Sequence, residues 1–240
     1  MRILIGIDDT DIGGGKLSTA RLARMFEPLL PAGVVFAGSV GHHLYRGIRG
    51  TTNNKASCIV LEAQGREVLP VLVSLAAAHI EQLAEAESSP GLVVAADVPA
   101  SLIDFGRVAS WQEVETKDAL AAMGDLPFQI WRGGRGLVGA AAAVGLTAAG
   151  WSGRWMEYGR LRPFDEGIQV SELLGAGIIP VSLENDAEVP APQDWIDAHE
   201  YLRPLLLGQS PVVPLRRITG DRWEVASRKT FQSKKRRNQQ

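Results

Sequence analysis

The chain has 240 residues, 45% of them hydrophobic and 22% charged, with a formal net charge of −2. That composition suits one large or two small globular domains and gives no electrostatic case for a surface that binds nucleic acid throughout. The single cysteine, Cys58, excludes an intramolecular disulfide framework and a cysteine-built zinc site, which fits a cytoplasmic protein.

Residues 3–7 form an apolar run rich in β-branched side chains, the pattern of a strand buried on both faces. Three glycines break the chain at 13–15, and Leu22, Met25, Phe26, Leu29 and Leu30 then recur at helical spacing. Strand, turn and helix in that order open an α/β unit. Strands are predicted at 34–40 and 56–63, on either side of a polar stretch at 42–55. A helix at 68–86 ends at Ser88-Ser89-Pro90-Gly91, and a short strand follows at 92–96. No membrane is implied, because the apolar stretch at 69–78 is shorter than the about 20 residues a bilayer span needs. Further on, the pattern predicts a helix at 118–123, a strand at 128–131, an alanine-rich helix at 137–149 and an extended segment at 155–161. The proline-rich final third reads as short strands and loops with a helix at 195–202, and 232–240 as a disordered basic tail.

The first chemical signal lies where the first strand ends. Asp8, Asp9 and Asp11 would repel one another there unless a cation were present, and hard oxygen ligands suit Mg²⁺. Gly13, Gly14 and Gly15 allow backbone N–H groups to converge on an anion, Lys16 adds a positive charge, and Ser18 and Thr19 supply hydroxyls at the helix start. An ordinary Asp/Gly surface turn with a Ser or Thr helix cap is the simpler alternative. The segment is not a Walker A loop, since Leu17 follows Gly15-Lys16 and Thr10 stands where the upstream glycine is required.

A second signal is Gly134-Arg135-Gly136-Leu137-Val138-Gly139, with G-x-G-x-x-G spacing between a predicted strand and a helix. It reads equally as a second phosphate cradle or as the start of a tightly packed small-residue helix. Glu157 lies at the sequence distance of a ribose-binding acid. Among weaker signals, His42, His43, Tyr45, Arg46, Arg49, Asn53, Asn54 and Lys55 form either a polyphosphate-binding loop or a solvated one. The two histidines point apart on an extended strand. Arg160 and Arg162 alternate onto one strand face, where they could clamp a phosphate.

Taken together, the chain resembles the archaeal isoleucine-tRNA agmatinylcytidine synthetase (TiaS) family. The likeness rests on GIDDTD at 6–11, Ser18-Thr19, the Arg49-Gly50…Asn54…Ala56 stretch, Gly134 to Ala140, Glu157-Tyr158-Gly159-Arg160 and Gly208-Gln209-Ser210-Pro211-Val212. The resemblance implies an α/β fold (α+β overall), with a kinase-like α/β domain interwoven with a ferredoxin-like one. The first is expected at 1–63 and 125–185, the second at 64–124 and 186–231. In the family, ATP drives attachment of agmatine to a tRNA cytidine through a phosphorylated intermediate. Carried over, Asp8, Asp9 and Asp11 hold metal and nucleotide, and Gly134, Arg135, Gly136 and Gly139 contact phosphates. A threonine matching Ser18 or Thr19 takes part in phosphotransfer. The family continues into an OB-fold and a cysteine-rich zinc module, and neither is expected here. The expected function is an ATP- and Mg²⁺-dependent phosphotransferase or ligase with an unidentified small-molecule or nucleoside acceptor. A non-catalytic nucleotide- or metabolite-binding protein is one alternative; a tRNA-modification subunit that needs a partner to bind tRNA is another.

Overall fold

The computed structural model describes residues 1–12, 17–48, 54–159, 167–184, 188–198 and 202–226. The α/β character expected from the periodicity is present, and the chain divides into two compact units, 1–158 and 159–240.

The first unit runs β1 (Arg2–Asp8), α1 (Thr19–Arg24), β2 (Val34–His43), β3 (Lys55–Ala63), α2 (Leu69–Leu83), β4 (Gly91–Ala95), α3 (Ala100–Ala109), α4 (Thr116–Met123), β5 (Phe128–Ile130), α5 (Gly136–Ala149) and β6 (Arg154–Tyr158). Its strands lie in the order β5-β4-β1-β3-β2-β6, each antiparallel to its neighbours. Residues 2–95 alone make a β-α-β-β-α-β unit with strand order β4-β1-β3-β2, the split βαβ arrangement.

β1 is central, and its alternation assigns its two faces. Ile3, Ile5 and Ile7 pack with Leu22 and Phe26 beside α1 and with Leu72, Ala76 and Ile80 of α2. Gly6 and Asp8 face the other way, toward α5. Helices therefore cover both faces of this strand, which is why its sequence is continuously apolar up to the aspartates.

Several expectations differ from what is observed. The sequence pattern does not predict helix α3, yet Leu102, Phe105, Gly106 and Ala109 give it a buried stripe. The helix predicted at 22–30 stops at Arg24, and a separate 3-10 turn at Glu27–Leu29 carries Pro28. The helix predicted at 195–202 is replaced at its start by a strand that pairs with residues 222–224.

The second unit contains β7 (Ile168–Gln169), α6 (Val170–Gly175), β8 (Ile179–Ser182), β9 (Trp195–Asp197), β10 (Leu205–Leu207), β11 (Ser210–Thr219) and β12 (Arg222–Val225). Strands run β10-β11-β12-β9-β7, and β8 joins β11 in parallel. Trp223 anchors this core: its indole N–H donates to Asp194 at 2.7 Å, and the Arg217 guanidinium lies 4.6 Å from its ring centre. The Gly208-Gln209 motif forms the turn between β10 and β11. Among the described residues, no helix is long and apolar enough to cross a membrane.

The two histidines that end β2 lie in different environments. His43 is exposed, while His42 is 1% exposed, its Nε2 2.8 Å from the Thr147 hydroxyl of α5. Burial, with the His43 charge adding to it, pushes the His42 pKa down to about 3. In the unfolded chain the same ring titrates near 6.5. Below that pH the unfolded state takes up a proton that the folded state cannot, so stability is lost as pH falls from about 6.5 toward 3. Chemical denaturation across this window should show the wild type losing stability relative to His42→Gln, by up to roughly 5 kcal/mol at its acid end, a difference in which the opposite contribution of Asp8 cancels. Equal slopes in the two proteins would contradict the assignment.

Candidate functional site

The aspartate turn is built by the end of β1. The strand delivers Asp8 on the α5 face, and the backbone then turns sharply: Asp9 has φ 53°, in the left-handed region. Aspartate tolerates that region better than most residues, but a non-glycine residue there is a local strain that neighbouring contacts must hold. Thr10 is fully buried, so the turn folds inward rather than fraying.

The three carboxylates have different surroundings. Asp8 is half-buried, and loss of water around it raises its pKa to about 8 despite a hydrogen bond from the Asp9 N–H. Asp9 is also raised, mainly by burial, with the Arg135 charge and the Ser89 N–H pulling the other way. Asp11 is committed to helix α1: its Oδ1 accepts the Thr19 N–H at 3.1 Å and the Thr19 hydroxyl at 2.9 Å. The Thr10 hydroxyl donates to that of Thr19 at 2.9 Å, completing a Thr10–Thr19–Asp11 chain.

Ser18 and Thr19 thus have separate roles. Ser18 is the exposed N-cap of α1, its hydroxyl accepting the Arg21 N–H at 3.4 Å. Thr19, buried, is the one that touches a carboxylate of the turn. Gly13, Gly14, Gly15 and Lys16, expected to cradle phosphate, lie outside the described residues, as do Arg49, Asn53, Arg160, Arg162 and the basic tail.

The glycine loop comes to the same place from the far end of the unit. Arg132, Gly133 and Gly134 all have positive φ, and α5 then starts beside Asp8. A Cβ on Gly136 would lie 2.6 Å from the Asp8 carbonyl oxygen and 2.5 Å from the Gly91 nitrogen. One on Gly139 would lie 1.8 Å from the Asp8 Oδ2. The spacing of these glycines therefore serves the approach of α5 to β1 and β4. The N–H groups of Gly136 and Leu137 already donate, to Ser89 and Gly134 respectively. Arg135 is exposed at the helix start and close enough to Asp9 to influence its charge.

A dinucleotide-type unit is absent from this loop. β5 and β6, which flank α5, are opposite edges of the first unit's strand order rather than parallel neighbours. Glu157, placed in β6, forms an ion pair with Arg24 at 3.9 Å. Between the two motifs lies a segment that sequence patterning passes over as a helix end, Glu85 to Ser89. Glu85 accepts the Ile12 N–H at 2.8 Å, and the Ser89 hydroxyl contacts the glycine loop. Its only sequence signal is a pair of serines before Pro-Gly.

No protein-family model and no curated protein matches the chain. Solved structures do. A tRNA fluorescent labeling enzyme is 29% identical, with a TM-score of 0.53, over 60% of this chain and 36% of its own. TiaS in complex with an isoleucine tRNA and ATP is 27% identical, with a TM-score of 0.53 and the same coverage. TiaS with the same tRNA, AMPCPP and agmatine is also 27% identical, over 60% of this chain and 36% of its own, with a TM-score of 0.50. The chain thus spans little more than a third of the length of the structures it matches. Over the matched 60% of its length the chain is similar to these proteins in fold and in sequence.

Proposed function

We propose that this chain is the ATP-using part of a tRNA-modifying transferase or ligase. The observation that carries the reading is the meeting of Asp8 and Asp9 with the start of α5, in a chain similar to a protein crystallised with tRNA and ATP. The small-molecule acceptor that the sequence places first gains no support from these comparisons. The similar structures carry tRNA in their descriptions, so tRNA moves ahead of it.

The donor set fits Mg²⁺. Asp8 and Asp9 are hard oxygen donors short of water, and among the described residues no three His, Cys, Asp or Glu side chains form a metal cluster. Mg²⁺ characteristically needs one or two carboxylates, completed by water and phosphate oxygens. We assign Asp8 and Asp9 as its ligands and Asp11 as the residue that positions Thr19. When bound, Mg²⁺ neutralises phosphate charge and ATP supplies the transferable group. Arg135 would meet a phosphate by charge-assisted hydrogen bonds. Thr19, hydrogen-bonded to Asp11, is our candidate for the family's phosphotransfer threonine, the carboxylate polarising its hydroxyl.

Titration calorimetry with ATP and Mg²⁺ should show binding by the wild type. Asp8→Asn and Asp9→Asn should each weaken it by about tenfold or more, a loss of about 1.4 kcal/mol. Unchanged affinity in the double variant would sink the metal assignment.

Gly139→Ala provides a second test. Its added Cβ must displace the Asp8 carboxylate, whereas alanine in a helix interior is favoured over glycine by about 1 kcal/mol. Mg²⁺-dependent ATP binding should fall while the thermal midpoint changes by only a few degrees.

For the acceptor, tRNA should stimulate ATP consumption, with an apparent affinity that declines as salt rises. Stimulation by free amines or nucleosides, with none by tRNA, would restore the small-molecule reading.

A further inference from the structure

Segment 84–90 joins α2 to β4 and touches both loops of the candidate site. At its start, the Glu85 N–H donates to the Thr10 carbonyl at 3.0 Å, and its Oε2 accepts the Ile12 N–H at 2.8 Å. One residue thereby brackets the backbone on both sides of Asp11. At its end, Ser89 holds the other loop. The Ser89 hydroxyl donates to the Arg132 carbonyl at 2.7 Å and accepts the Arg135 N–H at 3.3 Å, while its own carbonyl accepts the Gly136 N–H at 3.0 Å. The Ser89 N–H reaches back to the Asp9 carboxylate.

Arg132 ties the two ends together. A bulky residue at φ 45° is a backbone outlier that its surroundings must hold. Its Nε donates to the Ser88 carbonyl at 2.7 Å and its Nη2 to the Glu85 carbonyl at 3.2 Å. Ser88 and Ser89 are buried, so the Arg132–Ser88 bond is partly sheltered from water, while the Arg132–Glu85 bond is exposed.

We propose that Glu85 and Ser89 are positioning residues that hold the aspartate turn and the glycine loop in register, so that Asp9 and Arg135 bind one ligand together. The functional half of this inference rests on the ATP and Mg²⁺ reading above; the structural half does not.

The test pairs amide hydrogen exchange on the ligand-free protein with calorimetry using ATP and Mg²⁺, on the full chain. Glu85→Ala removes the acceptor for Ile12, and exchange over residues 10–12 should rise about tenfold. Its ATP affinity should drop by about the same factor. Glu85→Gln keeps an acceptor oxygen and should hold both quantities within about twofold of wild type. Ser89→Ala should speed exchange at 135–136 and also weaken binding. It serves as the deciding variant if Glu85→Ala does not fold.

Unchanged exchange in Glu85→Ala and Ser89→Ala overturns the proposal. So does a Glu85→Gln variant with normal exchange but the weak binding of Glu85→Ala, because the Glu85 charge would then be a ligand itself. If the wild type binds no ATP, the ATP reading fails, and exchange alone decides whether the segment positions the two loops.

Discussion

The structure of the first unit depends on a backbone-to-backbone contact between α5 and the strands beneath it. A Cβ at Gly6 would lie 2.0 Å from the Ala140 carbonyl oxygen, and one at Gly91 would lie 2.2 Å from the Leu137 nitrogen. No side chain fits at those separations, so the helix sits lower on the sheet than ordinary packing allows. The alanines at 140–143, all fully buried, continue the same close approach. Because α5 lies so low, its first turn covers the end of β1, and Asp8 is stripped of water by helix atoms. The unusual chemistry of that carboxylate thus follows from glycines in three separate parts of the chain.

Much of this arrangement was legible locally. The apolar run at 3–7 identified the buried central strand, and the switch from apolar residues to GIDDTD marked its functional end. The features that escaped were those needing a partner distant in sequence. Glycines at 134, 136 and 139 fit a phosphate loop and a close-packed helix equally, and their close packing shows only beside Gly91 and Asp8. Glu85 looked like a frayed helix end, because its bonding partners, Thr10 and Ile12, lie more than seventy residues away. Trp195 opens a strand rather than a helix because residues 222–224 present a pairing edge that no local pattern reveals.

Adjacent carboxylates in one turn acquire different properties because each meets a different neighbour. Asp8 meets helix backbone and loses water; Asp9 meets Arg135 and the Ser89 N–H, which favour its charge; Asp11 meets Thr19 and caps α1. A run of aspartates in sequence suggests a symmetrical cluster, but the three carboxylates here meet three different sets of partners. Asp11 orients the Thr19 hydroxyl through its Oδ1.

That asymmetry explains why the turn is strained where it is. Were residue 9 to continue the extended conformation of β1, its side chain would alternate to the α1 and α2 face, away from Asp8. The left-handed backbone at Asp9 breaks that alternation and returns the carboxylate toward Arg135 and Ser89. The matching left-handed backbone at Arg132 redirects the opposite loop just before α5 begins, and both outliers are hydrogen-bonded to the same short segment. Two left-handed residues, each unfavourable alone, are held by one connector between α2 and β4. A helix–strand connection of this length would elsewhere be a simple link; here it sets the distance between the groups that would bind metal and phosphate.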